Sequence, residues 1–489
     1  MKKILIVIIV LVLTGCSDLL EETPKGQVLG DMAVSSVEGL EAALVGAYKP
    51  WTNTWTSGFN TAALNAIVMG SDDLTTHKAS NKAEFREFDQ FNRTALNSRM
   101  GVIWYGCYKA IQGANNVINN YEALLGDAQE DRIKQIAGEA FFVRAYSYYW
   151  LVRLWGKVPL ITVPEVTEEI LQISSSAPAE IYALVVDDLL QAESLMSPTK
   201  RDPGRASSGS AKALLADVYL TMGGYPINDA SSYAKAAAKA KEVIDNKATY
   251  GFDLIPDLKD LWNGIPSDGT PNGSPEEVFS LHHCGTCQWF TSNAIFGSAT
   301  MAGTEENGWD DYFSEINFFN DFPAGARKDI TFQTEFAGGT IPWQNTATQH
   351  PYYKKFRLLN DENTWQTGMQ LTLIRYAHVL LIYAEAKARS GGADASSYDA
   401  LNAIRNRAGL PDVAGLSDAD FITAVVNERK WEFAGEYTRW FDLVRLELVE
   451  AANSNKHANE LPVVGTIDKS SYYLPIPSGD ATLNPNIDD

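Results

Sequence analysis

Two stretches of this chain repeat one pattern, in which a helix, a pair of glycines and a second helix follow each other. The first is LLADVYLTMGGYPINDASSYAKAAAKAKEVI, centred on Gly223 and Gly224, and the second is LLIYAEAKARSGGADASSYDALNAIRNRAGL, centred on Gly391 and Gly392. Alanines let helices cross closely, and glycine is favoured where a helix ends. The pattern predicts antiparallel helix pairs of tetratricopeptide type, degenerate and not in tandem.

Apolar residues at helical spacing extend this prediction to most of the chain. Five of them recur at steps of four and three and draw one helix face, namely Phe141, Ala145, Tyr148, Val152 and Trp155. The same spacing occurs at 211–222 and 374–388, and segments 100–125 and 131–155 could form another pair. We therefore predict a mainly α fold, in which helix pairs form a right-handed superhelical scaffold.

The N-terminus carries the features of an export signal. Lys2 and Lys3 precede an apolar run, Ile4 to Leu13, that is too short to span a bilayer as a mature helix. The run stops at LTGC, which resembles a bacterial lipobox. This predicts that Cys16 is the first mature residue and carries lipid, with an ordinary cleaved signal as the alternative.

The net charge excludes one class of function. The 489-residue chain has a formal charge of −21, and loss of Lys2 and Lys3 with the signal would make it more negative still. Such a surface repels nucleic acid and anionic membrane surfaces. Nucleic-acid binding is therefore excluded on electrostatic grounds.

The helical period fades between about 250 and 370. Glycine, asparagine, proline and aromatic residues accumulate there, and a structureless stretch of this length would be unusual inside a compact domain. We predict an irregular insert with short strands such as Val278 to His282. The predicted organisation is a signal peptide (1–15), a lipidated tether (16–34), an N-terminal helical part (35–250), an aromatic-rich ligand-face insert (251–370) and a C-terminal helical part (371–489) of the same single domain.

Several motifs resemble those of one known family. They are EAFFVRAYSYYWLVRLWGKVPLI at 139–161, GRASSGSAKALLADVYL at 204–220, IRYAHVLLIYAEA at 374–386, LNAIRNRAGL at 401–410, ERKWEFAGEYTRWFDLVR at 428–445 and YYLPIPSGDATLNPN at 472–486. Together with the lipobox and its tail, CSDLLEETPKG, they are similar to the SusD/RagB family of Bacteroidetes outer-membrane nutrient-binding lipoproteins. Gly479 and Asp480 depart from the family, where a glutamate commonly follows the proline turn.

The resemblance implies tetratricopeptide-like helix pairs and an irregular face that carries the ligand site. It also implies a partner, a SusC-like TonB-dependent transporter on which the lipoprotein sits as a lid, and a lipid-anchored location on the cell surface at the outer membrane. The expected function is capture of an oligosaccharide or polysaccharide and its delivery to that transporter, without catalysis or cofactor. The alternatives are capture of peptides or another non-sugar nutrient, a glycoside hydrolase, and a purely structural lid.

Aromatic side chains outside the predicted helices are the ligand candidates. Flat rings suit the C–H face of a sugar, and amides or carboxylates can fix its hydroxyls. The aromatic candidates are Trp51, Trp55, Trp289, Trp309, Tyr312, Trp343 and Trp365. By resemblance to the family segment that follows an early SDD motif, the polar candidates are Asp73, His77 and Asn81.

The segment LHHCGTCQWF raises the alternative of a metal or redox centre. His282, His283, Cys284 and Cys287 are zinc-type ligands, but adjacent histidines point to opposite sides of a strand. A redox Cys-x-x-Cys lies at a helix N-terminus, whereas a tryptophan-bearing loop follows here. In an exported protein we favour a Cys284–Cys287 disulfide, with free thiols and metal chemistry as alternatives. Cys107 is predicted to be a buried free thiol.

Charged residues cluster on a predicted helix, 428–445. Its three glutamates are four residues apart, and neighbouring carboxylates could serve a glycosidase as acid and base. Arginines at helical spacing interleave with them, however. We therefore predict an ion-pair lattice that pins the last helices to the earlier ones, and we expect Arg144 and Arg153 to belong to a structural network of the same kind.

Overall fold

Long helices make up most of this structure, a computed structural model that describes residues 34–52, 58–59, 61–263, 274–283, 298–301, 308–357 and 368–487. The helices are α1 (Val37–Thr52), α2 (Thr61–Ile67), α3 (Ala83–Asp89), α4 (Ser98–Ile118), α5 (Glu130–Trp155), α6 (Pro178–Leu195), α7 (Ser208–Met222), α8 (Ser232–Asp245), α9 (Lys247–Tyr250), α10 (Asp260–Asn263), α11 (Ile316–Asp321), α12 (Ala326–Thr331), α13 (Tyr376–Gly391), α14 (Ala395–Arg407), α15 (Asp418–Glu432), α16 (Arg439–Arg445), α17 (Val449–Asn453) and α18 (Ser478–Leu483). The strands are β1 (Val158–Pro159), β2 (Ser175–Ser176), β3 (Glu277–Leu281), β4 (Phe332–Gln333), β5 (Glu335–Phe336), β6 (Ile341–Pro342), β7 (Tyr352–Tyr353) and β8 (Leu371–Arg375).

Each long helix packs on the next one in the chain. α1 packs on α4, and the series continues through α5, α6, α7 and α8 to α13, which packs on α14 and α15. The predicted helix pairs, including those around the two glycine pairs, are confirmed in this series. None of the helices in the described ranges is long and apolar enough to cross a membrane.

α5 is the central helix of the scaffold. Nearly every residue from Ile133 to Trp155 is buried, well beyond the single face that its apolar spacing predicts. A helix surrounded by protein on all sides must also pair its buried charges, and Arg144 forms an ion pair with Asp188 at 2.8 Å. Cys107 of α4 is a buried free thiol, as predicted.

A glycine sets the distance between α1 and α4. A Cβ atom on Gly113 would lie 2.7 Å from the Cα of Ala47 and 2.9 Å from its Cβ, so the two helix backbones touch at this crossing. We expect Gly113→Ala to lower the free energy of unfolding by about 1–3 kcal/mol, because backbone cannot move aside as a side chain can. Urea unfolding measures the change.

The matched control is Gly46, which lies on α1 and where an added Cβ would have no atom within 4 Å. Alanine there relieves the entropic cost of a helical glycine, so Gly46→Ala should stabilise by about 0.5–1 kcal/mol. Equal effects of the two substitutions would contradict the close helix crossing.

One antiparallel strand pair joins the irregular insert to the scaffold. β3 pairs with β8, with Glu277 opposite Arg375 and Leu281 opposite Leu371. The strand predicted at Val278 to His282 is present one residue earlier, at Glu277–Leu281. The helix predicted to begin at Ile374 is wrong for its first two residues. Ile374 lies in β8, where it pairs with Phe279 of β3, and the helix begins only at Tyr376.

The charged segment 428–445 is not the single helix that its spacing predicts. α15 ends at Glu432 and α16 begins at Arg439. Between them, Gly435 and Tyr437 adopt left-handed backbone angles, with φ of 73° and 66°. A Cβ on Gly435 would lie 2.9 Å from the Tyr353 ring, so the turn also needs glycine for space.

Candidate functional site

Two segments that contain predicted ligand residues are joined by backbone hydrogen bonds. Thr75 and Phe313 form an isolated β-bridge, in which each backbone N–H donates to the other residue's carbonyl at 3.0 Å. The Thr76 hydroxyl donates to the Asp311 carbonyl at 2.7 Å. These bonds hold the segment that follows the SDD motif against the irregular insert.

A polar pocket of about 100 Å³ lies beside this bridge. Its lining, which defines the polar pocket below, consists of residues 75–78, Phe313, 347–350 and 459–461. The side chains of His77, Gln349 and Asn459 reach solvent, whereas those of His350 and Glu460 are buried. A pocket of this volume admits the edge of one sugar ring, and the rest of a longer ligand would lie on the surface.

His350 organises the floor of the polar pocket. Its Nδ1 lies 2.6 Å from the Thr348 carbonyl oxygen and its Nε2 lies 3.1 Å from a Glu460 carboxylate oxygen. The other Glu460 oxygen accepts the Ile316 backbone N–H at 2.8 Å. Burial opposes ionisation of Glu460, but these partners outweigh it and lower the pKa of the carboxyl. Both oxygens of the buried Glu460 are therefore engaged, and the carboxylate fixes the His350 ring at the floor of the polar pocket.

A buried ion cluster lies next to this floor. Lys456 is shared by Asp89, at 2.6 Å, and Glu315, at 2.7 Å. Burial, together with the nearby Glu460 and Asp89 carboxylates, raises the pKa of Glu315 well above its ordinary value despite the lysine. Burial also raises the pKa of Asp89. One lysine is therefore too little positive charge for the carboxylates around it.

We expect Glu315→Gln to stabilise the protein more at pH 8 than at pH 5. A carboxyl whose pKa is raised by folding contributes stability that is fully present below its unfolded pKa of 4.5. That contribution is lost as the pH rises through the folded-state pKa. Glutamine keeps the size of the side chain and removes the proton equilibrium. Urea unfolding at both pH values measures the difference, and the exposed Glu168→Gln serves as control. A pH-independent effect at Glu315 would contradict the expectation.

Three predicted ligand residues are core residues, which corrects the sequence prediction. Trp51 is 0% exposed and packs edge-on against Tyr146 and Phe279, at ring-centroid distances of 5.6 and 6.1 Å. Tyr312 is also 0% exposed. Asp73 is buried and accepts the Gly435 backbone N–H at 2.9 Å. None of the three side chains has surface left for a ligand.

The other predicted ligand residues fall into two groups. Four reach the surface in the described ranges, and these are His77, Asn81, Trp309 and Trp343. Their ligand contacts stay predictions. The rest lie outside the described residues, and these are Trp55, Trp289 and Trp365, the cysteines of the expected disulfide, Cys284 and Cys287, and the lipidation site Cys16.

The polar floor was missed because its residues come from distant parts of the chain. Thr348, His350 and Glu460 stand in unremarkable polar sequence, and no spacing links position 350 to position 460. The backbone at Gln349, between Thr348 and His350, is left-handed, with a φ of 55°. Such a strained non-glycine residue is a reason to examine a site for function, but the sequence does not reveal it.

The histidine pair shows no metal geometry in the described residues. His282 bonds Glu277 through Nε2 and Gln370 through Nδ1, both at 3.1 Å. Burial lowers the pKa of His283 to about 4. Within the described ranges no group of three histidine, cysteine or acidic side chains could hold a metal ion. Cys284 and Cys287 lie outside those ranges.

The glutamates of the charged segment form the predicted ion-pair lattice. Glu428 pairs with Arg327 at 2.6 Å, Glu432 with Arg375 at 3.0 Å, and Glu436 with Lys355 and Arg375. All three glutamates are buried, so their oxygens serve the lattice. The expectation that Arg144 belongs to a similar network is confirmed. It is wrong for Arg153, which has no carboxylate within 4 Å in the described part of the chain.

Comparison with known families identifies the chain. A family model described as "SusD family" matches residues 288–489, and a second, described as "Starch-binding associating with outer membrane", matches residues 18–220. The chain belongs to the SusD/RagB family. The resemblance of the sequence to this family is thereby confirmed.

Relatives of this SusD-family protein match it over nearly its whole length. SusD-like protein P2 of Formosa agariphila is 29% identical and covers 100% of this chain and 99% of its own. A SusD superfamily protein from Parabacteroides distasonis has a similar fold, with a TM-score of 0.77, 25% identity and coverage of 92% and 98%. A laminarin-binding SusD-like protein has a TM-score of 0.73 and 24% identity, with coverage of 91% and 97%.

Proposed function

We infer that this SusD-family protein is a lipid-anchored glycan-binding protein of the outer membrane. It captures oligosaccharides at the cell surface and passes them to a SusC-like TonB-dependent transporter, without catalysis. Family membership carries this proposal. The second matching family model is described as starch-binding and associated with the outer membrane, and one structural neighbour binds laminarin.

The surface around the polar pocket suits a sugar. Trp309 and Trp343 leave part of their side chains exposed near the segments that line the pocket, where a ring could stack on a C–H face. His77 and Gln349 supply nitrogen and oxygen atoms for hydroxyls, while the buried Glu460 holds the ring of His350 in place. The shallow shape favours modest affinity, because removing water from many hydroxyls offsets much of the contact energy.

The non-catalytic role rests on how the carboxylates are used. A glycosidase needs two carboxyl groups that face one bond from opposite sides. The glutamates of the charged segment are buried and paired with basic side chains, and Glu460 is bonded to His350 and to backbone. Within the described ranges these carboxylates are structural or acceptor groups, and no two of them form a paired acid and base in an open cleft.

Calorimetric titration of a soluble form that starts after Cys16 tests the proposal. It is titrated with neutral and acidic oligosaccharides, laminarin fragments included, and each sample is assayed for new reducing ends. We expect binding without cleavage. Cleavage would contradict the non-catalytic role. Binding of cationic peptides but of no sugar would replace glycan capture with peptide capture, which the net charge of −21 would favour.

A further inference from the structure

A small cavity lies between α5 and the C-terminal helices, and none of the residues of the polar pocket lines it. Its volume is about 50 Å³. That is room for a few atoms of the size of a water oxygen, but not for a sugar ring. Arg153 of α5, His378 of α13 and Arg429 of α15 contribute to its lining. Each of them carries hydrogen-bond donors that have no acceptor among the described residues.

Arg153 brings a positive charge to this cavity. Its guanidinium carbon lies 3.7 Å from the ring centroid of Tyr149 and 3.9 Å from that of Phe441, so the group is stacked between two aromatic rings. Nε donates to the Tyr149 carbonyl at 3.1 Å. No carboxylate of the described residues lies within 4 Å, unlike at Arg144 on the same helix. In the described residues the only hydrogen bond of its guanidinium is the one from Nε, so Nη1 and Nη2 keep donors for another partner.

Arg429 and His378 add two buried donors. Arg429 donates from Nε and Nη2 to Asp442, at 2.9 and 3.1 Å, and its Nη1 has no acceptor in the described part of the chain. His378 accepts the Arg375 backbone N–H at Nδ1, at 2.9 Å, so the neutral ring carries its hydrogen on Nε2. That nitrogen is buried too, and none of the residues that the structure describes accepts its hydrogen. Unmatched buried donors are rare, and an acceptor on the ligand side would satisfy them.

The carboxylates of the same cavity do not meet this need. Glu436 and Asp442 each accept hydrogen bonds from two basic side chains of the lattice. Asp217 accepts the Tyr149 hydroxyl at 2.8 Å. The unused hydrogen-bonding capacity of the cavity is therefore on the donor side.

We propose that this cavity binds a small monovalent anion, chloride or an anion of similar size, held by Arg153, Arg429 and His378. The anion accepts from the free guanidinium N–H groups of both arginines and from the His378 Nε2–H. Because these residues stand on three different helices, the anion ties α5 to the C-terminal helical part. It is separate from the proposed glycan face.

Crystals soaked in sodium bromide test the proposal directly. We expect an anomalous peak in the cavity, within hydrogen-bonding distance of Arg429 Nη1 and His378 Nε2. Water in the cavity, with bromide only at surface sites, would overturn it. In solution, the thermal midpoint should rise by about 2 °C or more when sodium gluconate is replaced by sodium chloride at equal ionic strength. An unchanged midpoint would also count against the site.

The variant Arg153→Met distinguishes the effect of the Arg153 charge on anion binding from the effect of its stacking between the two rings. Methionine keeps an apolar side chain between the two rings but removes the charge, so the variant should lose the chloride response. The exposed Arg132→Met, whose side chain is 42% accessible, should keep it. A chloride response that survives in Arg153→Met would overturn the assignment. The bromide experiment on the unaltered protein decides the question if this variant does not fold.

Discussion

Arg375→Met should lower the free energy of unfolding by about 3–5 kcal/mol, the largest stability effect that we expect from one substitution. Arg375 is fully buried at the end of β8 and binds Glu276, Glu432 and Glu436, at 3.0 Å for Glu432 and 2.8 Å for Glu436. Burial opposes ionisation of Glu432, but Arg407, Arg375 and Arg327 lower its pKa to about 2. Removing Arg375 leaves three buried carboxylates short of positive charge.

Urea unfolding of both proteins at pH 7 measures this loss. Arg132→Met is the matched control, because it removes an arginine from an exposed pair, in which the Glu38 side chain is 72% accessible. Exposed pairs contribute little, so the control should stay within about 0.5 kcal/mol of the wild type. If the two variants were equally stable, the lattice would not hold the strand pair and α15 together.

The second large effect concerns the proposed ligand face. Combining Trp309→Ala with Trp343→Ala should weaken oligosaccharide binding at least about 30-fold. Only a minority of contact residues cost more than about 1 kcal/mol when truncated, but tryptophan is enriched among them, and about 1.4 kcal/mol is a factor of ten in affinity. Both side chains are half-exposed in the irregular insert. Titration with the tightest-binding sugar of the panel gives the affinity of each protein.

Tyr105→Ala is the control for this experiment. Tyr105 is an exposed aromatic residue, 38% accessible, in a groove formed by α4 and residues 161–170, away from the polar pocket. Its loss should leave binding unchanged. Trp343 packs on Phe319 at a centroid distance of 5.9 Å, so near-UV circular dichroism must show that the double variant is folded. Unaltered affinity in a folded double variant would remove both tryptophans from the ligand site.

Helices could be predicted from the sequence wherever their apolar residues recur at helical spacing. The pairs around Gly223 and Gly391 follow from alanine spacing and glycine stops, which depend only on neighbours along the chain. The break inside 428–445 could not be predicted this way. Its cause is partly distant, since Tyr353 occupies the space beside Gly435.

Whether an individual aromatic residue is buried or exposed could be predicted less well. Trp51 stands in the polar sequence YKPWTNTWTSGFN, which suggests a loop. In the structure it is the last turn of α1 that carries it into the core, where Tyr146 and Phe279 surround it. Burial is decided by residues far away in sequence, so local polarity is a poor guide to it.

The sequence by itself determined the helix pairs, the family motifs and the acidic character of the protein, because periodicity, motif order and charge are properties of the chain alone. The tertiary structure decided which tryptophans remain at the surface and how the polar pocket forms from positions near 77, 350 and 460. It also decided that Arg144 has a counter-ion while Arg153 has none in the described part of the chain. Partners separated by hundreds of residues meet only through packing, and packing depends on all helices at once.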